Sequence, residues 1–354
     1  MTDPSTSTVP APPAEGAGWP TVHVLESVAS EYAALRERVI VVDRSARGRM
    51  RLTGARAVET LSGLVTNALE PVGPGQGTYA AALTAKGKII ADLRIFVDDG
   101  SILVDCGGLA RAGWMATVRK FVNPRVAPYQ DVYRTTRDIG VFGPGAIALV
   151  AEALGAEAAS LAALPPYGHL TLPDPDRTRI ARVPDLGVEG FELFLASEAF
   201  DARWSRLLAA GAVAAGIDAC EVARVEAGRP EWGIDIDDAT LPQEARLEEL
   251  GALSFAKGCY VGQEVVARLH FRGHVNRRLV GLGAATAAPP QRGARLFDGD
   301  DKDVGDVRSA VASPRLGGIA LGMLRREIAE GTRVTARWPD GALEVEVQPL
   351  PFPD

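Results

Sequence analysis

The sequence predicts an α+β protein with a separate β domain at its C-terminus. Two observations support this fold class. Residues 20–274 mix short β-branched strands with helical stretches and lack a regular strand–helix–strand repeat, which is typical of α+β proteins. Residues 275–354 contain short apolar runs separated by turn residues, which favours a small β-barrel or sandwich. A chain of 354 residues is long enough for two or three domains.

The first α+β lobe is predicted to span residues 20–135. Its expected hairpin joins Thr78–Thr84 to Lys88–Val97 through Lys86 and Gly87, a turn-forming pair. The other predicted elements of this lobe are strands at Val39–Val42, Arg49–Leu52 and Ser101–Cys106 and helices at Gly54–Thr66 and Ala110–Phe121.

The second lobe is predicted to span residues 136–274 and the β domain residues 275–354. Alternating apolar residues predict strands, and longer amphipathic stretches predict helices. The second lobe has predicted strands at Arg179–Val183 and Phe191–Leu195 and helices at Glu198–Ala210 and Ala219–Ala227. The β domain has predicted strands at Leu279–Leu282, Val304–Val311, Ile319–Met323, Arg333–Ala336 and Leu343–Val347.

Residues 1–19 are rich in Pro, Ala, Ser and Thr and are predicted to form a disordered tail, because they cannot bury enough apolar surface to order themselves. The tail lacks the basic start and apolar stretch of a signal peptide. No run of 18 apolar residues occurs, so we expect no membrane span. The three cysteines are too few for a disulfide framework and indicate a reducing cytoplasm.

The overall net charge of −7 argues against extensive nucleic-acid binding, which usually requires a basic surface. A local basic run extends from Lys257 to Arg278 and includes His270 and His274. This run could receive an anionic ligand or partner, or it could be a solvated connector between domains. We expect no metal site at the two histidines, because Gly273 lies between them and a fourth ligand is missing.

Cys259 lies in the segment KGCYVGQE, residues 257–264. The segment VVARL that follows can continue as a helix, so Cys259 would lie before the positive end of a helix dipole. Lys257 adds a neighbouring positive charge, and both effects favour the reactive thiolate. The alternative is an inert buried cysteine in a glycine-containing turn.

Two further sets of residues remain ambiguous from the sequence alone. Arg224 and Glu226 fall on a predicted helix, and the default interpretation is a solvated charged helix. Asp92 lies in an alternating strand, IIADLRIF. It is either a surface residue of that strand or a residue that lines a cavity, and acids are poor strand formers.

The segment KGCYVGQE with Arg268 downstream resembles the K-G-C-[FY]-x-G-Q-E-x-x-x-R signature of the YgfZ-type folate-binding proteins. These are relatives of the glycine-cleavage T-protein, and the likeness covers most of the chain. The segments VVDRSARGRMRLTGARAVETL, ARVEAG with WGIDI, and DVGDVRSAVASPRLGGIALGML resemble T-protein elements. Signature residues carried over are Cys259, Lys257, Gly258, Gly262, Gln263, Glu264 and Arg268.

The resemblance implies a three-lobed T-protein fold around a central tetrahydrofolate site. By position, Tyr79, Asp92, Glu192 and Arg224 match folate-site residues of the family. A carboxylate can accept two hydrogen bonds from a pterin edge, and arginine suits the glutamyl tail. T-proteins carry an Asp-Asp pair where this chain has Ala91 and Asp92, and they lack the signature cysteine.

The resemblance therefore implies a tetrahydrofolate-binding protein that supports iron–sulfur cluster assembly or repair in client proteins, including tRNA-thiolating enzymes. Cys259 would be a reactive thiol or a transient cluster ligand. One alternative is an aminomethyltransferase of the glycine cleavage system. Another is a scaffold that no longer binds folate.

Overall fold

The computed structural model describes residues 18–353 of the chain. The strands are β1 (Ile40–Asp43), β2 (Gly48–Thr53), β3 (Gln76–Leu83), β4 (Ile89–Asp98), β5 (Ser101–Cys106), β6 (Tyr129–Asp131), β7 (Thr136–Phe142), β8 (His169–Thr171), β9 (Arg179–Arg182), β10 (Gly190–Ala196), β11 (Val213–Ala214), β12 (Arg277–Ala284), β13 (Arg295–Phe297), β14 (Asp303–Ser313), β15 (Gly317–Arg325), β16 (Arg333–Trp338) and β17 (Gly341–Gln348). The helices are α1 (Val28–Glu37), α2 (Ala57–Ser62), α3 (Arg111–Phe121), α4 (Ala146–Leu154), α5 (Ala158–Ala162), α6 (Phe200–Ala209), α7 (Ile217–Glu226) and α8 (Gln263–Arg272).

The first sheet has the strand order β3-β4-β5-β2-β6, and all of its pairs are antiparallel. The predicted hairpin is present as β3 and β4, closed by a turn in which the amide of Gly87 donates to the carbonyl of Thr84. The predicted helix at 54–66 is shorter and ends at Ser62. Beyond Gly63 the chain turns back onto the sheet, where the amide of Thr66 donates to the carbonyl of Ala81.

The second sheet has the order β11-β1-β7-β10-β9-β8. Its strand β1 comes from the N-terminal part of the chain and pairs with β7 and β11. The division between lobes that the sequence predicts at residue 135 assigns this strand to the first lobe, whereas its hydrogen bonds place it in the second. The β1 segment is apolar and β-branched in either case, so its local pattern predicts a strand but not the sheet it joins.

The two sheets face each other, and each carries helices on its outer face. On β4, Ala91, Leu93 and Ile95 pack outward with α2 and α3, while Asp92, Arg94 and Phe96 alternate to the inner face. The ring centroids of Phe96 on β4 and Phe194 on β10 lie 5.3 Å apart between the sheets. The inner faces therefore enclose a shared core that also contains charged side chains.

The C-terminal strands form a closed six-stranded barrel in the order β12-β15-β14-β13-β16-β17, which confirms the predicted β domain. The barrel has its own apolar interior. Its outer surface docks on α7, where Val225 packs with Leu279, Leu321 and Phe352. The three-part α+β architecture expected from the sequence is thus confirmed. No helix within residues 18–353 is long and apolar enough to cross a membrane.

The predicted disordered tail, residues 1–19, falls outside the described residues as far as residue 17. Trp19 is an exception to the prediction because it is 4% exposed. Its indole Nε1 donates to the carbonyl of Tyr133 at 2.9 Å, and the guanidinium of Arg137 lies 4.7 Å from its ring centroid. The large apolar ring of Trp19 supplies enough buried surface to hold this residue against the fold.

Candidate functional site

A cavity of about 70 Å³, partly open to solvent, lies between the two lobes and α7; we call it the central cavity. Most of its lining side chains are charged or aromatic. They include Arg44, Arg47, Tyr79, Asp92, Arg94, Asp185, Glu221, Arg224, Arg229 and Glu231. Three of the four folate residues carried over by resemblance, Tyr79, Asp92 and Arg224, therefore line one cavity.

Tyr79 and Asp92 form one wall of the central cavity. They lie on paired strands, and the hydroxyl of Tyr79 donates to the carboxylate of Asp92 at 3.0 Å. Burial raises the pKa of Asp92, opposed by the nearby charge of Arg47 and by the Tyr79 hydrogen bond. The strand pattern allowed Asp92 to be either a surface residue or a residue that lines a cavity, and the structure shows that it lines the cavity. A carboxyl group with a raised pKa is suited to hold or transfer a proton.

Arg229 completes this wall, and Tyr167 supports it from outside the lining residues. The Tyr167 ring stacks on Tyr79, with centroids 5.9 Å apart and planes 14° from parallel. The guanidinium of Arg229 lies 5.6 Å from the Tyr79 centroid and 4.0 Å from the carboxylate of Asp185. The cavity therefore presents aromatic surface, a carboxylate and a cation.

Glu192 occupies a different position from the one that the resemblance implies. It is fully buried and lies behind the cavity wall rather than among the lining residues. Its carboxylate is 2.9 Å from Arg94 and 3.2 Å from Arg44. Burial acts to raise the pKa of Glu192, but Arg44 and Arg94 hold it well below its usual range. Glu192 therefore orients two arginines that line the cavity.

Asp138 is a second buried acid close to Glu192. It lies on β7 and Glu192 on β10, and both side chains point to the inner face. Burial and the Glu192 carboxylate raise the pKa of Asp138 well above its usual value. The proximity of the two acids thus disfavours the charged form of Asp138.

Arg94 is the centre of the buried charges. It is 2% exposed and contacts Asp105 at 2.6 Å, Asp185 at 3.0 Å and Glu192 at 2.9 Å. Arg47 also binds Asp105, at 2.7 Å. These residues come from β4, β5, β10 and two loops, and together they form a rigid charged floor beneath the cavity.

Arg224 lines the central cavity, but its donors are already occupied. Its guanidinium binds Glu221 at 2.5 Å, Asp235 at 2.7 Å and the hydroxyl of Ser309 at 2.6 Å, and it also donates to the carbonyl of Arg229. Ser309 belongs to β14 of the barrel. The side chain therefore ties α7 to the barrel, and it has no donor left for the glutamyl tail that the resemblance assigned to it.

The default interpretation of α7 as a solvated charged helix is wrong. Arg224 is 8% and Glu226 4% exposed. Glu226 accepts hydrogen bonds from Tyr32 at 2.8 Å and from Ser313 at 2.5 Å. The helix lies between α1 and the barrel, so both of its charged faces are covered.

The KGCYVGQE segment is anchored to the first lobe by Lys257. Its ammonium donates to the carbonyls of Ser62 and Val65 at 2.6 Å and of Asn67 at 2.9 Å, which would otherwise lack partners beyond the end of α2. Burial lowers the pKa of Lys257, whereas the three carbonyl oxygens favour its charged form. The lysine therefore serves as a structural anchor for the segment.

The same segment packs against the turn of the β3–β4 hairpin. Gly262 has φ +86° and immediately precedes α8. A Cβ atom at Gly262 would lie 2.6 Å from the carbonyl oxygen of Thr84, and one at Gly87 would lie 2.8 Å from Val265. Both glycines are thus required by close backbone approach.

Cys259 lies on the surface. It is free and exposed, whereas Cys106 and Cys220 are buried, and burial raises the pKa of both buried thiols, that of Cys220 to about 12. Cys259 is not among the described residues that line the central cavity. The alternative of an inert buried cysteine is therefore wrong for Cys259.

The remaining signature residues surround this surface. Gly258 is exposed, and a Cβ atom there would meet nothing within 4 Å. Glu264 and Arg268 are exposed on α8, and Gln263 is partly buried. Beyond them, Phe271 is 67% exposed, and the ring of His270 stacks on Phe255 with centroids 3.7 Å apart. The signature thus forms a surface distinct from the cavity.

Replacing Gly262 by alanine is expected to destabilise this surface. The substitution forces a left-handed conformation on a residue with a side chain and creates a backbone clash, so we expect the free energy of unfolding to fall by about 2 kcal/mol. Amide hydrogen exchange in residues 257–272 should rise. Gly258→Ala is the matched control, because its Cβ atom has open space. Equal stability of the two variants would contradict the packing described for Gly262.

Among the central-cavity residues that sequence reasoning missed are Arg44, Arg47, Arg94, Asp185 and Arg229. Arg94 carried a signal, since it shares a strand face with Asp92 at a spacing of two. The other four lie outside strands and helices, where alternation gives no information about the direction of a side chain.

Comparisons with known proteins bear on this arrangement. The family model described as the GCVT N-terminal domain matches residues 13–254, and the model described as the glycine cleavage T-protein C-terminal barrel domain matches residues 277–354. The chain belongs to the glycine cleavage T-protein family. The finer resemblance to YgfZ-type proteins is not distinguished by these matches.

The curated relatives of this T-protein family member are named for one activity. A protein of Prochlorococcus marinus strain MIT 9303, named aminomethyltransferase, is 32% identical over 88% of this chain and 86% of its own length. An aminomethyltransferase of Synechococcus sp. strain RCC307 is 30% identical over 89% and 87%. The crystal structure of glycine cleavage system aminomethyltransferase T from Bartonella henselae superposes with a TM-score of 0.81 at 23% identity over 92% and 90%, which shows the shared fold.

Members of this family bind tetrahydrofolate, so the predicted folate cofactor is confirmed at the level of the family. The side chains that line the central cavity are of the types that such a ligand can use. The Asp92 carboxylate can accept hydrogen bonds from a pterin, Tyr79 offers aromatic contact, and Arg229 can meet a carboxylate.

Proposed function

We propose that this protein binds tetrahydrofolate in the central cavity and uses the Cys259 thiol to support assembly or repair of iron–sulfur clusters in client enzymes, including tRNA-modifying ones. The observation that carries the proposal is the position of the Cys259 segment. Gly262 of that segment packs on the turn of the same hairpin whose strands supply Tyr79 and Asp92. Folate site and exposed thiol are thus attached to one structural element.

Two features support an iron–sulfur role over a purely structural one. A cluster or a client thiol can reach Cys259, because it is exposed and makes no disulfide. Neighbouring exposed aromatic and basic groups, Phe271 and Arg268 among them, are of the types enriched at protein interfaces. The client proteins would dock here while the folate remains in the cavity.

A second candidate is aminomethyl transfer to tetrahydrofolate, which the names of the curated relatives favour. The raised pKa of Asp92 suits proton transfer in such a reaction. The expected acid pair is absent, however, because Ala91 points to the outer core of the first lobe. Of the two positions that correspond to the acid pair of T-proteins, only the one at Asp92 places an acid in the cavity.

Complementation of a deletion strain tests the primary proposal. A strain carrying Cys259→Ser is expected to show the same deficit in iron–sulfur enzyme activity as the deletion strain. Cys106→Ala is the control, since it removes a buried sulfur that does not line the central cavity. Full restoration of activity by Cys259→Ser would remove the thiol from the mechanism.

Two measurements on the purified protein separate the alternatives. Saturating tetrahydrofolate should raise the Tm of the native protein, and no rise would favour a scaffold without folate. Release of ammonia from an aminomethyl-loaded lipoyl carrier protein in the presence of tetrahydrofolate, lowered roughly 10²–10⁴-fold by Asp92→Asn, would establish the second candidate in place of the first.

A further inference from the structure

A second cleft opens between the inner faces of the two sheets, at the other end of β4 from the central cavity; we call it the inter-lobe cleft. It has a volume of about 540 Å³ and is open to solvent. Asp92 faces the central cavity and Asp98 the inter-lobe cleft. Six residues of strand separate the two, roughly 20 Å, so the two sites are distinct.

Arg49 lines this cleft and is a buried cation that no carboxylate within residues 18–353 contacts. It is 2% exposed. Its guanidinium donates to the carbonyls of Arg47, Ser45 and Thr136 at 2.8–3.1 Å and to the Thr136 hydroxyl at 2.9 Å. Buried charges are normally paired with an opposite charge. The backbone carbonyls and the Thr136 hydroxyl accept hydrogen bonds from Arg49, but they do not neutralise its positive charge.

Two acids, Asp138 and Asp105, act on Arg49 through space, but neither is available as its counter-charge. Asp138 makes no ion pair with Arg49 among the described residues, and burial together with the neighbouring Glu192 raises its pKa well above the usual value, which disfavours its charged form. Asp105 contacts Arg47 and Arg94. An anion in the cleft is the counter-charge that Arg49 lacks.

Arg179 has an unused donor in the same cleft. It is 8% exposed and binds Asp98, but its buried Nε has no hydrogen-bond partner among the described residues. Asp98 is itself shared with His169 at 3.0 Å. One carboxylate therefore serves both the Arg179 guanidinium and the His169 imidazole.

Arg51 and Arg177 lie at the rim of the cleft and are exposed. Neither side chain has an ion-pair partner within residues 18–353. Both are close enough to Arg179 to oppose its charge. Two further acids, Asp99 and Asp176, also line the rim, and Asp176 is 3.5 Å from Arg203. The deeper part of the cleft is therefore more positive than its rim.

We propose that the inter-lobe cleft binds a small polyanion that carries phosphate or several carboxylate groups. Its charged groups would lie between the buried Arg49 and Arg179 and the exposed Arg51 and Arg177. Guanidinium groups recognise phosphate and carboxylate through paired hydrogen bonds. Leu103 and Phe194 also line the cleft, so an organic body can be accommodated. This site is independent of the proposed function.

Calorimetric titration of the full chain tests the proposal. The probes are pyrophosphate and citrate, each at an ionic strength matched with NaCl because exposed charges are screened by salt. The wild type is expected to bind one equivalent of at least one probe. Preference for pyrophosphate would identify a phosphate ligand, and preference for citrate a polycarboxylate.

The double substitution Arg51→Gln with Arg177→Gln should weaken binding by about tenfold or more. The matched control, Arg325→Gln with Arg333→Gln, removes the same charge from the exposed barrel surface and should bind as the wild type does. Arg51→Glu is a second variant, and it should abolish binding by charge reversal. Both cleft variants should keep the Tm and the tetrahydrofolate affinity of the wild type. No saturable binding of either probe, or equal affinities of cleft and control variants, would overturn the proposal.

Discussion

Replacing Arg94 by methionine is expected to lower the free energy of unfolding by about 3–5 kcal/mol. Arg94 is buried and contacts Asp105, Asp185 and Glu192. Methionine fills a similar volume but leaves three carboxylates without that counter-charge. Removing one partner from a buried ionic group costs more than the group contributes, because the remaining charges stay desolvated. Denaturation in urea, with an unchanged m value, measures the difference.

The matched control for this substitution is Arg333→Met. Arg333 has a side chain that is 69% exposed, and it pairs with Glu344 on the barrel surface, so its loss should cost less than about 1 kcal/mol. Both variants lose one positive charge. A deficit for Arg94→Met no larger than that of the control would show that the buried charges are not coupled as described.

The loss of unfolding free energy caused by Arg94→Met should also depend on pH. Burial acts to raise the pKa values of Asp185 and Glu192, but the arginines hold both below their usual values. Depressed carboxyl pKa values stabilise the folded state above about pH 4, and this contribution is lost as the pH falls towards the folded pKa values. The difference between wild type and Arg94→Met should therefore narrow below about pH 4. A difference that is constant with pH would argue for a packing defect.

Replacing Arg224 by methionine is expected to cost about 3 kcal/mol of stability and to leave tetrahydrofolate affinity nearly unchanged. Its donors are engaged by Glu221, Asp235 and Ser309, so its loss loosens the contact between α7 and the barrel. Asp235 would keep hydrogen bonds from the amides of Glu231 and Ser309, which limits the cost. Thermal unfolding and folate titration on the same samples measure both effects.

Arg229→Met is the comparison variant for this prediction. Arg229 lies against Tyr79 in the cavity wall, so its loss should weaken folate binding more than it lowers stability. If Arg224→Met instead keeps its stability and loses folate affinity more than tenfold, Arg224 is a ligand-binding residue, as the resemblance implied.

The alternation of side chains between the two faces of individual strands could be predicted without the structure. In β4, the alternation that separates Ala91 and Leu93 from Asp92 and Arg94 predicted both the strand and the shared face. Turn residues placed the β3–β4 hairpin correctly, and the short apolar runs after residue 275 predicted the barrel. These features are local, because backbone geometry and side-chain spacing alone determine them.

Several side-chain environments could not be predicted from the local sequence. The contacts of Arg94 with Asp185 and Glu192 join residues 91 and 98 positions apart. Arg224 and Glu226 were expected in solvent, but they are covered by α1 and by a barrel that is built more than 50 residues later in the chain. A local pattern shows that a helix carries charge, but it does not show which distant element covers that helix.

By itself, the sequence determined the α+β class, the C-terminal β domain and the approximate positions of most strands. Only the tertiary structure decided that Cys259 is exposed away from the central cavity, that Glu192 and Arg224 hold other residues in place, and that Arg49 is buried without an acid in contact. The physical reason is that secondary structure follows from nearby residues. Burial and charge pairing depend on groups that only the folded chain brings together.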